Sequence, residues 1–410
     1  MTTNLRALLS AAIVAGGALA ARPCRASGFL IYDISGQALA RASAVSADSE
    51  EPAAVWFNPA NLAFMGGVSA SAGGTFLTSK STFSPAGPGD DTDSKRGNFF
   101  LPAVFANGRV TDRVAVGMGV YSTFGIGITW PYDWEGRVAA IKASLQELSF
   151  NPTVAVLVHP SVSVAAGFDA VRSVVDFRNG LPDPIGGDVR LAGGTWGFGF
   201  NAAALYKMYP GRLHVALTYR SRVKLDFKDG RANFSPANPD FAPALPDQPG
   251  TASITLPDII TAGVMGRPRD DLALTFDANL VLWSAYDRID IDFQTAPDRA
   301  IVPNGRNAVT LRGGADWTFP ARCPGLHLRG GLIYDRSAIP SSNLGPGLPD
   351  ADRIDVAAGA GYGRGHFRGD LGYLLVVFLP ADATGGQEGP VGTYRTVAHL
   401  IGLTLAATWP

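Results

Sequence analysis

Long segments in which apolar and polar residues alternate with period two run from about residue 67 to the C-terminus. Asp271–Ser284 shows the pattern best, with one apolar face and one face holding Ala273, Thr275, Asp277 and Asn279. Successive side chains of a β-strand point to opposite faces, so the alternation predicts strands with one apolar side. In Arg212–Phe227 the same alternation predicts a shared polar face, made of His214, Thr218, Arg220, Arg222, Lys224 and Asp226.

Counting these segments along the chain predicts fourteen strands. They lie near 67–82, 98–106, 113–126, 146–158, 162–177, 193–207, 212–227, 252–266, 271–290, 307–319, 326–335, 351–362, 367–379 and 394–408. Short turns alternate with long polar loops, which is typical of outer-membrane barrels. Because a membrane tolerates no free sheet edge, we predict an all-β fold, a closed transmembrane antiparallel β-barrel of 14 strands.

The main structural alternative is a soluble secreted β-sandwich. Its strands usually run about five or six residues, which is shorter than several segments here. A sandwich would also turn its charged face outward to water. A helical membrane protein is excluded, because no run of about 18 apolar residues occurs.

The first 26 residues have the pattern of a secretory signal peptide. The apolar run Ala7–Leu19 is followed by Cys24-Arg25-Ala26, which offers small residues for cleavage before Ser27. Removing 1–26 lowers the 34 basic residues to 31, against 35 acidic residues. No basic bias remains that would suggest a nucleic-acid partner. Cys323 is then the one cysteine, so neither an internal disulfide nor a cysteine metal cluster is expected.

Between the signal peptide and the strands lies a segment of mixed character. Asn58 is suited to cap a helical turn and Pro59 to occupy its first position. Trp56 and Phe57 precede the cap and Leu62 follows it, so this apolar segment must be buried. We therefore divide the chain into 1–26 (signal peptide), 27–65 (an N-terminal plug, or hatch) and 66–410 (the barrel).

One long loop and one strand carry further candidate features. In the loop 127–145, Trp130 and Trp134 stand where water-facing loops usually have small polar residues, and Arg137–Leu148 is compatible with a helix. The loop is either a rim with interfacial aromatics or an apolar capture surface for a ligand. In the third strand, Gly117, Gly119 and Gly125 are candidates for a kink in the wall or for a close approach of the plug.

Motifs for covalent chemistry are not evident. The five histidines are scattered without metal-ligand spacing, and no nucleophile elbow or phosphate-binding loop occurs. We expect no catalytic residues, no metal and no cofactor. A barrel phospholipase, which assembles its site across strands, leaves no local signature to find.

Several motifs, in order, resemble the FadL/TodX family of outer-membrane transporters for long-chain fatty acids and other hydrophobic compounds. These are Ser27-Gly28-Phe29, Gly36–Arg41, Asn58-Pro59-Ala60, Asn98–Ala103, Trp134–Arg137, Leu217–Phe227, Leu256–Asp258, Tyr334-Asp335 and Pro349–Arg353. The resemblance implies a 14-stranded barrel plugged by its N-terminal hatch. It also implies capture of ligand at the outer loops, a shift of the hatch and lateral exit at a kink in the third strand.

Carried over to this sequence, the resemblance makes Asn58, Pro59 and Ala60 the hatch motif, and places Gly28 and Phe29 near an inner ligand pocket. The alternation adds Arg220, Arg222 and Lys224 as lumen charges for a ligand carboxylate. The alternative for these three is a ladder of ion pairs with Asp226.

The expected function is passive uptake of long-chain fatty acids or similar hydrophobic compounds across the outer membrane of a Gram-negative bacterium. Aromatic or alkane hydrocarbons are the first alternative as ligands, and a general diffusion porin or adhesin-like barrel is the second. The expected partners are a hydrophobic small molecule and outer-membrane lipid, with the protein as a monomer.

Overall fold

A computed structural model describes residues 28–386 and 389–410. The signal peptide predicted for residues 1–26 lies outside the described residues. In the described chain no helix is both long and apolar enough to cross a membrane.

The wall consists of fourteen strands, some of them interrupted once. Within the described residues these are β1 (Val68–Pro85), β2 (Gly97–Arg109), β3 (Val114–Tyr121 and Gly125–Thr129), β4 (Lys142–His159), β5 (Val162–Gly180), β6 (Gly187–Tyr209), β7 (Leu213–Arg220 and Val223–Pro236), β8 (Gln248–Leu256 and Ile259–Arg269), β9 (Leu272–Val281 and Ile289–Phe293), β10 (Arg299–Ile301 and Ala308–Thr318), β11 (Leu326–Asp335), β12 (Arg353–Arg364), β13 (Phe367–Phe378 and Ala381–Thr384) and β14 (Val391–Trp409). Thr92–Asp93 forms a short additional pairing with β1.

Consecutive strands pair antiparallel, and β1 pairs with β14 from Val68↔Trp409 to Pro85↔Gly392. This last pairing closes the ring, so the predicted 14-stranded antiparallel barrel is confirmed. The alternation is confirmed on β9, where Leu274 and Phe276 are exposed on the outside and Asp277 and Asn279 are buried inside. An apolar outer surface and a polar interior are what a barrel in lipid requires.

One local prediction was wrong. Arg137–Leu148, expected to be compatible with a helix, is a turn followed by the start of β4 at Lys142. From Ala143 onward, every second side chain faces inward, and β4 pairs with β3 on one side and β5 on the other. Two ladders and a half-buried surface favour the strand over a local helical preference.

The N-terminal segment, residues 28–65, lies inside the ring and is almost entirely buried. It contains helices α1 (Gly36–Leu39) and α2 (Ala54–Phe57) and the 3₁₀ helix Pro59–Phe64. Further 3₁₀ helices, at Pro239–Ala244, Trp283–Ala285 and Ser341–Asn343, lie in the connections within and between wall strands.

Asn58 caps the 3₁₀ helix as its sequence predicts. Its side-chain oxygen accepts a hydrogen bond from Ala60 N at 2.9 Å, and its amide donates to Ser46 O at 2.8 Å. Asn61 also donates to Ser46 O, at 3.1 Å. One buried side chain therefore joins two parts of the N-terminal segment.

Opposite sides of the wall hold this segment. Gly36 N donates to Thr404 Oγ1 of β14 at 2.9 Å, and Ser46 Oγ donates to Asp277 Oδ1 of β9 at 2.7 Å. On β5, Ser163 Oγ donates to Ala60 O at 2.7 Å. These bonds satisfy buried polar groups, of the backbone and of side chains, that cannot reach water.

Glycines on neighbouring strands make room for the segment's backbone. Among the glycines that face it are Gly314 of β10, Gly331 of β11, Gly359 of β12 and Gly372 of β13. A Cβ atom at Gly372 would lie 2.6 Å from Gly36 O, and one at Gly359 would lie 2.5 Å from Ala40 Cβ. The close approach of the N-terminal segment to the wall therefore depends on glycines of the wall as well as on residues of the segment.

A first prediction concerns Gly117 of β3, whose added Cβ would lie 2.7 Å from Leu62 and 2.8 Å from Val55. We expect Gly117→Leu to overpack this contact and to destabilise the protein by about 1–3 kcal/mol, lowering the thermal unfolding temperature. Gly313→Leu is the matched control, because a Cβ there meets no heavy atom within 4 Å. Equal unfolding temperatures for the two variants would contradict close packing of the segment on β3.

A second prediction concerns Glu51, which is buried and receives hydrogen bonds from Ser35 Oγ at 2.7 and 2.8 Å. Burial, reinforced by the charge of Asp370, raises the pKa of Glu51 from 4.5 to about 7. The folded state favours the protonated form of Glu51. The contribution of Glu51 to the free energy of unfolding is therefore fully present below pH 4.5 and is lost as the pH rises through about 7.

Between pH 4.5 and 7, we expect the free energy of opening of α1 to fall by up to about 1.4 kcal/mol per pH unit. Amide hydrogen exchange in α1 should therefore accelerate by more than its intrinsic pH dependence. Glu51→Gln keeps the contact to Ser35 and removes the charge, so it should abolish this excess. An unchanged excess in the variant would assign it to another group.

Candidate functional site

A cavity of about 530 Å³ lies inside the half of the barrel that carries the long loops. Its walls come from the start of the N-terminal segment, from β1 to β4, from β12 to β14 and from the loop at 347–350. Most of the lining is apolar, and it includes Phe29, Phe99, Ile126, Val376 and Phe378. A concave space lined mostly by apolar side chains, with polar groups among them, suits a hydrophobic ligand.

The wall beside this cavity is interrupted between β2 and β3. The two strands pair from Ala103↔Tyr121 to Arg109↔Ala115. Beyond Tyr121, the second segment of β3 pairs with β4, from Gly125↔Gln146 to Thr129↔Lys142, and no pairing with β2 is found among the described residues. A gap in the hydrogen-bonded ladder therefore lies between residues 97–102 and 125–128, and it ends where Lys95 N donates to Thr129 O at 2.7 Å.

Aromatic side chains flank this gap. Phe100 is 65% exposed on the outer surface, and it also borders the cavity. Phe99 packs against Gly127, where an added Cβ would lie 2.1 Å from its ring. At the gap, Phe99 and Phe100 therefore lie between the cavity and the lipid-facing surface, and Gly127 leaves space for the Phe99 ring.

The carboxylate of Glu147, on β4, binds the backbone at the point where β3 is interrupted. Its carboxylate accepts hydrogen bonds from the backbone N–H of Thr123 and from that of Phe124, the latter at 3.0 Å. Ser149 Oγ donates to its other oxygen at 2.9 Å, and Ser122 Oγ donates to its backbone oxygen at 2.6 Å. A buried carboxylate therefore replaces the partners that these amides lose where the ladder ends.

The N-terminal segment also pairs with the interruption. Leu30 forms an isolated antiparallel bridge with Phe124, Ile31 N donates to Thr123 O at 2.6 Å, and Gly125 N donates to Phe29 O at 3.0 Å. The Phe29 ring packs edge-on against Trp283 at 5.0 Å and Tyr286 at 5.2 Å. The residues that open the N-terminal segment are therefore part of the same structure as the gap.

Charged groups gather at one side of the cavity. Arg353 donates to Asp335 Oδ2 from Nη2 at 2.8 Å and from Nε at 3.2 Å. Asp350 accepts from Ala338 N at 2.7 Å, from Ser337 Oγ at 3.0 Å and from Gly28 N at 3.2 Å. Burial raises the pKa of Asp350 and that of Asp33 above their usual range.

Some of the predicted ligand residues line the cavity, and others lie in the packed outer loops. Gly28 and Phe29 line the cavity. Trp130 and Trp134 are buried and stack on each other at 4.4 Å; Trp130 Nε1 donates to Pro346 O and Trp134 Nε1 to Ala140 O. Both indoles lie within the packing of the outer loops, away from the cavity lining.

The three predicted lumen charges do not share a face, which corrects the expectation from alternation. The interruption of β7 at Ser221 and Arg222 changes the facing, so Val223 points inward while Arg222 and Lys224 are exposed outside. Arg222 pairs with Asp258 at 2.8 Å and Lys224 with Asp226 at 2.9 Å. The expected pairing with Asp226 is therefore present for Lys224, but on the outer surface.

Arg220 alone of these three faces inward. It pairs with Asp169 at 2.5 Å, and its guanidinium lies 4.0 Å from the ring centroid of Trp56 in α2. It also donates to Trp56 O at 3.3 Å. Arg220 therefore joins the wall to the N-terminal segment and does not line the cavity.

The candidate kink glycines lie on either side of the interruption. Gly117 and Gly119 face inward on the first segment of β3, where Gly117 meets the N-terminal segment and Gly119 meets Phe105 and Tyr121. Gly125 opens the second segment and borders the cavity. The break itself falls between them, at Ser122–Phe124.

Sequence reasoning missed Phe99, Glu147, Asp350 and Asp355, all of which line the cavity. For Glu147, the signal was its place at an inward position of an alternating segment that begins with Ala143 and Leu145. Glu147 lies where the predicted strand 146–158 and the helix-compatible segment Arg137–Leu148 overlap, so the face on which it lies was not predicted. Phe99 and Asp350 lie within two of the motifs that resemble the family, Asn98–Ala103 and Pro349–Arg353, but neither motif assigns them to a cavity. Asp355 carries no local signal, since its position depends on which strands close around the cavity.

Comparison with known proteins identifies the family. Residues 17–378 match the family model described as outer membrane protein transport protein (OMPP1/FadL/TodX). The chain belongs to this family. It is thus an outer-membrane protein of a Gram-negative bacterium.

Individual relatives agree with this assignment. The long-chain fatty acid transport protein of Salmonella typhi is 25% identical over 375 residues, covering 82% of this chain and 84% of that protein. The solved structure of a Pseudomonas aeruginosa FadL homologue has a TM-score of 0.84 at 19% identity, covering 94% of this chain and 100% of the homologue. The Pseudomonas putida toluene transporter TodX has a TM-score of 0.69 at 15% identity, covering 90% and 98%. At these identities the two solved structures show the shared fold.

A third prediction concerns Glu147. Glu147→Ala leaves the amides of Thr123 and Phe124 without their acceptor, so we expect hydrogen exchange at these amides to accelerate about tenfold to a hundredfold. Glu147→Gln retains one acceptor oxygen and should recover part of the protection. Ser173→Ala on the neighbouring strand β5 is a control at a buried inward position. Unchanged exchange in Glu147→Ala would show that the break persists without the carboxylate.

Proposed function

We propose that this protein is a passive channel for the uptake of hydrophobic compounds, which bind in the cavity and leave sideways through the gap between β2 and β3. The observation that carries the proposal is the shared boundary of cavity and gap, formed by Phe99, Phe100 and the second segment of β3. A lateral exit delivers an apolar molecule to the membrane without passage through bulk water, where its apolar surface would be exposed.

The N-terminal segment takes the part of the hatch in this proposal, with residues 27–65 as plug and 66–410 as barrel after removal of a signal peptide. Asn58, Pro59 and Ala60 form its capped turn, and Ala60 contacts the wall through Ser163. Movement of Phe29 and Leu30 would change the bonds that they share with Thr123 and Gly125. Hatch and exit are therefore coupled through the break in β3.

Several residues predicted to contact a ligand are better suited to a structural role. Because Trp130 and Trp134 are buried against each other, their packing favours a role in holding the outer loops together. The pairs of Arg220 with Asp169 and of Arg222 with Asp258 favour structural roles for these arginines. Gly28 and Phe29, which line the cavity, are the predicted residues best placed to contact a ligand.

The proposal includes no covalent step and no cofactor, with a monomeric barrel surrounded by outer-membrane lipid. The relatives named above include a long-chain fatty acid transport protein and a toluene transporter. For this chain, fatty acids and neutral hydrocarbons are therefore both ligand candidates.

A fourth prediction tests the exit. In cells whose uptake depends on this protein, we expect Gly127→Leu to reduce entry of a hydrophobic probe by about tenfold, because the new side chain and Phe99 compete for the gap. The lipid-facing change Gly313→Leu serves as the control, since its Cβ meets no neighbour within 4 Å. Surface amount and resistance of the folded barrel to detergent are measured for both.

Uptake equal to that of the unmodified protein in a folded Gly127→Leu variant would contradict lateral exit through this gap. A large steady conductance of the purified protein in planar bilayers without ligand would instead support the porin alternative. Ester hydrolysis lost on changing one serine or histidine would indicate an enzyme.

A further inference from the structure

Asp355 is the unusual group in the cavity wall. It faces inward near the start of β12, is 1% exposed and lines the cavity. Among the residues that the structure describes, neither of its carboxylate oxygens has a hydrogen-bond partner. Its ion pair is a long one, with Arg353 Nε lying 3.5 Å from Oδ2.

The other carboxylates of the cavity have donors from the protein. Glu147 is bound by the backbone at the β3 break and by Ser149, Asp350 by Ser337 and Ala338, and Asp33 by Ser43 at 2.9 Å. Buried polar atoms are almost always hydrogen-bonded, because leaving them unpaired is costly. Among these carboxylates, Asp355 is therefore the one best suited to accept a hydrogen bond from a ligand.

The charges around the cavity disfavour an anionic ligand. Four carboxylates line it within the described chain, Asp33, Glu147, Asp350 and Asp355, against the single cation Arg353. The Arg353 guanidinium already donates twice to Asp335. A ligand carboxylate would bring another negative charge into this group and offer no proton to Asp355 at neutral pH.

We propose that the cavity binds a neutral amphiphile, a long-chain alcohol or alkylphenol, whose hydroxyl donates a hydrogen bond to Asp355. This inference rests on the proposed function and selects its ligand class. The alkyl part lies against the apolar lining that includes Phe99, Ile126 and Phe378.

Three radiolabelled probes with the same twelve-carbon chain test this: 1-dodecanol, dodecanoate and dodecane. Each is equilibrated at pH 7.4 with the full mature chain in lipid nanodiscs, and matched empty nanodiscs are subtracted to remove partition into lipid. We expect dodecanol to bind about tenfold or more tightly than either of the other probes, as a hydrogen bond to a charged group provides.

The variant Asp355→Asn tests whether dodecanol binds through the carboxylate of Asp355 or only through the shape of the cavity. The amide keeps the size of the side chain but removes its charge, so dodecanol affinity should fall about tenfold, dodecanoate affinity should rise and dodecane affinity should stay the same. Asp382→Asn is the matched control, because Asp382 is an exposed carboxylate on the outer segment of β13 that pairs with Thr393. Resistance of the folded barrel to detergent is checked for both variants.

Two results would overturn the inference while leaving the proposed function intact. One is tighter binding of dodecanoate than of dodecanol, which would make Arg353 the anchor for a fatty acid. The other is an unchanged ratio of dodecanol to dodecane in Asp355→Asn. Absence of saturable binding for all three probes would contradict the proposed function itself.

Discussion

The interaction on which this structure depends most is the backbone hydrogen bond of a wall surrounded by hydrocarbon. A polar backbone group facing lipid has no water to bind, so each strand needs a partner on both sides. Pairing of β1 with β14 along its whole length removes the last free edge. The ladder between β2 and β3 is the place where this rule is relaxed, and the protein compensates there with a buried carboxylate.

That relaxation brings three features together in one place. The carboxylate of Glu147 binds amides of the break, the first residues of the N-terminal segment bridge to Phe124, and the cavity ends against the same residues. The segment is in turn held by hydrogen bonds to opposite sides of the barrel, through Gly36 and Ser46. A shift of the segment therefore acts directly on the edge of the gap.

Interruptions elsewhere in the wall have a different consequence. In β7, the break at Ser221–Arg222 reverses which side chains face the interior, so Leu217 faces lipid while Leu225 is buried inside. Arg222 and Lys224, after the break, then lie outside, where Lys224 pairs with Asp226 and Arg222 pairs with Asp258 of the neighbouring strand β8. A polar run that looks continuous in sequence is thus divided between two environments.

Much of the fold was predictable because alternation, turn length and the ban on free edges act locally or on the whole ring. The strand number, the inward polar face of β9 and the Asn58 cap all follow from those constraints. The site was harder to predict. Alternation placed Arg222 and Lys224 inside because it does not detect a break in a strand, and Glu147 lay where a predicted strand and a helix-compatible segment overlap.

The sequence by itself therefore determined the barrel, its family and the buried turn at Asn58-Pro59-Ala60. Only the tertiary structure decided which side chains meet in the cavity, because Asp350 and Asp355 come from chain positions more than 300 residues beyond Gly28 and reach it through ring closure. It also decided the character of the cavity. Charge is a sum over neighbours in space, and those neighbours are set by the order in which the strands close.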